Sequence, residues 1–147
     1  MLIHFPIALL LVGILAEITA LFVSKPFFKQ AAFAMLLLGA LGAIAAYVSG
    51  SYAGLGIESG PLKAPMELHE DAALITLLLA IVTSLYRLGL QIFHVERLWT
   101  RIVGVLLLTA LAASVVRTGY LGGQLVYRHG AGVQLALPDF NNPVIVD

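Results

Sequence analysis

Residues 5–23 read FPIALLLVGILAEITALFV, an apolar run interrupted by one charged side chain, Glu17. Crossing a hydrocarbon core of roughly 30 Å takes about 20 mostly apolar residues as a helix, so this run is long enough to span a bilayer. Working outward, the same test marks three further segments, giving expected membrane helices over residues 5–24, 31–49, 69–92 and 101–127. All four are apolar around most of their circumference, as helices that face lipid on one side and each other on the other must be. The fold class expected is all-α: one polytopic membrane domain over residues 1–147, an antiparallel four-transmembrane-helix bundle, with residues 130–147 as an extramembrane C-terminal tail.

Composition points the same way. Of the 147 residues 61% are hydrophobic and 11% charged, and the mean hydropathy is +1.01. A soluble domain carries about a quarter charged residues, so this chain has too little polar surface to cover a water-soluble globule. Eight basic and eight acidic residues cancel, which leaves no basic field to hold nucleic acid. The absence of cysteine excludes disulfides, thiolate-held iron–sulfur clusters, covalently attached c-type haem and cysteine nucleophiles.

Between the spans the punctuation is consistent. Lys25-Pro26 ends the first helix, because proline lacks an amide donor and disfavours helical geometry before it. Gly50, Gly54, Gly56, Ser59, Gly60 and Pro61 predict a long loop over residues 51–68, with Pro65 tolerated in a first helical turn. The third connection is short, with Trp99 as a headgroup anchor. Small residues four apart (Gly39/Ala43, Gly42/Ala46, Ala46/Gly50) allow close helix approach or a groove for a flat ring.

Basic residues in short loops set orientation. The side with the first and third connections holds Lys25, Lys29, Arg97 and Arg101 against Glu96. The other side holds Lys63 and Arg128 beside Glu58, Glu67, Glu70, Asp71, Asp139 and Asp147. The first side is therefore expected to be cytoplasmic and both termini periplasmic. No Lys or Arg precedes Lys25, so the first helix reads as a retained span and not as a cleaved signal peptide.

An up-and-down bundle brings His4, His69 and His129 to the same outer face and leaves only His94 on the basic side. Imidazole is the commonest ligand for transition metals and a standard axial ligand of haem iron, and bundles build such sites from facing helices. Haem b held by two of these histidines, with His4 and His69 the preferred pair, is the leading expectation; copper, zinc or iron, or no cofactor, are the alternatives. Arg117 stands at a suitable level for a haem propionate, and Glu67, Glu70 and Asp71 are candidates to orient His69. No zinc-protease spacing, P-loop, nucleophile elbow or dinucleotide fingerprint is present.

Glu17 and Arg87 lie within spans, where an unpaired charge costs several kcal/mol. Each precedes the inner end of its helix by about two turns, or ~10 Å. The first and third helices run parallel, so both charges occupy one slab and are expected to form an intramembrane ion pair, with Tyr86 and Thr83 close enough to add hydrogen bonds. Locking of the bundle is the first role for such a pair, and a proton- or quinone-linked role the second.

Two stretches, HFPIALLL (residues 4–11) and GGQLVYRHGAGV (residues 122–133), resemble a bacterial family of predicted membrane proteins known as domain of unknown function 2231. The resemblance covers nearly the whole chain, and the late motif is the more specific. It implies four spans and a histidine before the third, here His69, and it points to His4, Gly122, Gly123, Tyr127, Arg128, His129 and Gly130. Members of the family often carry an additional His-Pro ahead of the HFPI block, whereas this chain begins MLIHFPI. Fusions to c-type cytochrome modules in the family favour electron-transfer chemistry over hydrolysis.

The expectation is thus a small b-type cytochrome, a haem-b-binding subunit of a larger complex in the bacterial inner membrane, passing electrons near the periplasmic face. Its partners would be the lipid bilayer and other complex subunits, a c-type cytochrome among them, and cofactor-binding residues would be His4, His69, His129, Arg117, Tyr127 and Arg128. The alternative is a cofactor-free accessory subunit of a respiratory or photosynthetic complex. A transporter is weaker, since four spans leave little room for a gated path, and a lipid-acting enzyme lacks a visible nucleophile–base pair.

Overall fold

The computed structural model describes residues 3–55, 59–95 and 97–132. They form four helices: α1 (His4–Phe22), α2 (Pro26–Gly54), α3 (Lys63–Ile92) and α4 (Leu98–Tyr127). Each is long and apolar enough to cross a membrane. Consecutive helices pack side by side, α1 on α2, α2 on α3 and α3 on α4, with a lighter seam between α1 and α4. α1 and α3 are therefore diagonal. Short connections make neighbours antiparallel, which puts the start of α1, the start of α3 and the end of α4 at one end of the bundle.

The long loop expected over residues 51–68 is shorter, because α2 runs to Gly54 and α3 already begins at Lys63. Gly50 and Gly54 do not break α2, since a helical glycine costs only about 1 kcal/mol. At Gly54 the missing side chain makes room: a Cβ there would lie 2.8 Å from Glu70 Oε1. Pro65 falls in the first turn of α3, where its absent N–H has no helical partner to lose. With 29 or 30 residues, α2, α3 and α4 reach beyond the hydrocarbon core into the headgroup layer. Their ends are thus interfacial. Most of the expected tail lies outside the described residues, as do Glu58 and Glu96.

Local chemistry closes the helix ends. Pro26 occupies the start of α2. His94 takes the left-handed conformation after α3 (φ 51°), and the Val95 N–H then donates to the Leu90 carbonyl at 3.2 Å. Thr100 Oγ1 accepts from the Arg97 N–H at 3.1 Å at the start of α4.

At the centre, Leu10 of α1, Leu36 and Ala40 of α2, Ala80 of α3, and Leu111 and Val115 of α4 form the buried core. Around it the helix pairs are joined differently. Gly39 admits Leu10, whose Cδ2 stands 2.7 Å from where a Cβ would be; Gly42 similarly admits Pro6, and Gly13 admits Met35, both at 3.2 Å. α3 and α4 meet through hydroxyls: Thr76 Oγ1 lies 2.6 Å from Ser114 Oγ and 2.8 Å from Thr118 Oγ1.

Candidate functional site

The side chains that can carry chemistry occupy two levels of the bundle. At the level set by the start of α3, His69 leans across onto α4. A Cβ on Gly122 would stand 3.0 Å from His69 Cε1 and 3.5 Å from Nδ1, so a side chain there would press on the ring. Nδ1 is buried and has no hydrogen-bond partner. The backbone of Thr118 interacts with the ring, and the neighbouring Glu70 carboxylate acts on it electrostatically. One turn of α4 from Gly122, Gly119 has nothing within 4 Å of its Cβ position. A half-buried imidazole thus packs on α4 at Gly122.

Thr118 links this level to the interior. Its backbone acts on His69 while its Oγ1 bonds Thr76, which also donates to the Ala72 carbonyl at 2.9 Å. Sequence alone does not single out the cluster of Thr76, Ser114 and Thr118. The signal available was the four-residue spacing of Ser114 and Thr118, which puts both on one face of α4.

The remaining outer residues are at the surface. His4 is exposed in the first turn of α1, His129 is exposed just past α4, and Arg117, Tyr127 and Arg128 are exposed as well. Among the described residues no group of three or more His, Asp or Glu side chains gathers as a metal-binding cluster. His94 is exposed at the opposite end, its Nδ1 3.1 Å from the Ile92 carbonyl.

The second level lies within the spans toward that opposite end. Here Arg87 Nη2 of α3 contacts Glu17 Oε1 of α1, so the pair bridges the diagonal of the bundle. Both side chains are mostly shielded, and each charge offsets the cost of the other. Thr83 and Tyr86 do not join the pair. Thr83 Oγ1 donates to the Leu79 carbonyl at 2.6 Å and Tyr86 Oη to the Thr100 carbonyl at 2.8 Å, because backbone acceptors stand closer to those hydroxyls.

Residues 1–135 match the family described as "Predicted membrane protein (DUF2231)". The chain belongs to that family. No curated protein and no solved structure matches it. Family membership and four apolar helices make the chain a membrane protein in contact with the lipid bilayer. The matched range includes His4, Glu17, His69, Arg87 and Gly122, so both levels of the site lie within the family's common segment.

Proposed function

We propose that this chain is a small b-type cytochrome, a haem-b-binding membrane subunit in which His69 is the ligand that anchors the iron. The observation that carries the reading is the buried, unpartnered Nδ1 of His69. A buried polar atom without a partner costs about 1–3 kcal/mol, a cost that coordination or a cofactor-linked hydrogen bond removes. Gly122 lets the imidazole lie close against α4, and the Gly119 position one turn away is open.

His69 would hold the iron from α3, and exposed His4 or His129, at the same end of the bundle, would be the second residue to hold it. Arg117 would neutralise a propionate, with Tyr127 and Arg128 at the rim. Bound there, haem supplies one-electron transfer. The chain's own contribution is to exclude water with α3 and α4, to orient the imidazole through Thr118 and Glu70, and to hold the bundle in register through Glu17–Arg87. The distribution of basic loop residues supports the bacterial inner membrane with both termini periplasmic, where other complex subunits or a c-type cytochrome would receive the electrons.

The test is an absorption spectrum of the full chain purified from haem-replete cells. A Soret band that shifts on dithionite reduction and is lost in His69→Ala supports the reading. A colourless, folded wild-type chain favours a cofactor-free accessory subunit, a role for which the Glu17–Arg87 cross-brace is equally suited.

A further inference from the structure

At the end of the bundle away from His69, the four helices draw apart around a cavity of about 490 Å³. That lies within the range of small-molecule sites, roughly 300–1,000 Å³. Its charged lining consists of Glu17, Lys29, Arg87, Arg97 and Arg101. Glu17 and Arg87 engage each other, so the positive charge that the described lining presents at the start of α4 is that of Arg97 and Arg101. Glu96 adjoins Arg97 in sequence and lies outside the described residues; it subtracts at most one charge. The N-terminus of the 30-residue α4 opens at the same place and adds its own partial positive charge.

The rest of the lining is of two kinds. Gln30 and Gln91 offer uncharged polar groups, whereas Phe33, Leu90 and Val105 form an apolar wall. Trp99, 71% exposed beside the cationic residues, marks this level as the membrane–water interface. A free inorganic anion would use the cations and gain nothing from the wall. A lipid with a phosphate headgroup uses both, because its charge and its acyl chains are joined at this depth. Arginine forks bind phosphate oxygens bidentately, and basic pockets between membrane helices are recurrent sites for anionic headgroups.

We infer that this cavity is a binding site for an anionic phospholipid, with Arg97 and Arg101 holding the phosphate and Phe33, Leu90 and Val105 receiving the first part of the acyl chains. The site is independent of His69 and of any haem. Lipid seated there would brace the ends of α2 and α4 across the gap.

The full chain in a neutral detergent, supplied with phosphatidylglycerol or phosphatidylcholine, tests this by native mass spectrometry and thermal unfolding. Phosphatidylglycerol is expected to be retained and to raise the unfolding midpoint, and phosphatidylcholine to do neither. Arg97→Gln/Arg101→Gln is expected to weaken phosphatidylglycerol retention about tenfold, Arg97→Lys/Arg101→Lys to restore part of it, and Lys63→Gln at the far end to change nothing. The lipid comparison on the wild type needs no variant to fold. Equal retention of the two lipids overturns the inference. So does full retention by the Arg→Gln pair, or stabilisation by inorganic phosphate equal to that by phosphatidylglycerol, which would assign the cavity to a soluble anion.

Discussion

Along α1 and α2 contact runs through Gly13, Gly39 and Gly42, each with a neighbour's atom close to where a Cβ would be. Along α3 and α4 it runs through Thr76, Ser114 and Thr118 and through the ring of His69 on Gly122. In lipid, burying an apolar side chain against another helix gains little over leaving it in the acyl chains. Association must come from close packing or from interhelical hydrogen bonds. The first pair uses packing alone, and its contacts can do nothing else. The second uses polar groups, which can also bind and exchange protons or electrons. The α1–α2 half is thus joined by packing and the α3–α4 half by polar groups, with Glu17–Arg87 a polar tie between them beside the shared apolar core.

The tie gives the largest expected effect. Arg87→Leu strands the Glu17 carboxylate within the spans and should cost about 2–3 kcal/mol, with most of that recovered in Glu17→Gln/Arg87→Leu. Thermal unfolding in detergent followed by circular dichroism measures both variants. Absence of recovery in the double variant would show that the cost does not come from a stranded Glu17 carboxylate. Next comes the packed half. Gly39→Ala forces a methyl against Leu10 and should cost about 1–2 kcal/mol, whereas Gly50→Ala, with nothing within 4 Å, should be neutral or stabilising by up to about 1 kcal/mol. Equal effects at the two glycines would remove the packing account. The smallest effect belongs to the hydroxyl seam, where Thr76→Val should cost about 0.6 kcal/mol, a typical value for a hydrogen bond between membrane helices. The same measurement applies, and a loss as large as that of Gly39→Ala would make the polar seam the main support of the bundle.

Four spans are legible in the sequence because each is a long apolar run with few alternatives. Counting residues from the helix ends puts Glu17 and Arg87 at one depth, and in the structure their side chains meet. Helix lengths were harder, because Gly50 and Gly54 look like breakers until the partner filling the space is known; at Gly54 that partner is Glu70. The hydroxyl cluster needs the register of α3 against α4, which composition does not give. In the sequence the cationic cavity shows only as basic residues near short connections, three of which (Lys29, Arg97 and Arg101) line it, since a gap between helices leaves no mark on any one of them. The three outer histidines could be assigned to one end by parity of crossings. That His69 turns inward while His4 and His129 face out depends on rotation about each helix axis, which needs the packed neighbours.

The contrast between the packed half and the polar half is tested most directly by the Soret absorbance per chain of Gly122→Ala set against that of Gly39→Ala. A methyl at Gly122 meets the His69 ring at 3.0 Å, whereas one at Gly39 meets only Leu10. The expected result is a Soret band lost or strongly shifted in folded Gly122→Ala and kept, per folded chain, in Gly39→Ala. A full, unshifted band in Gly122→Ala would contradict the placement of the iron at His69.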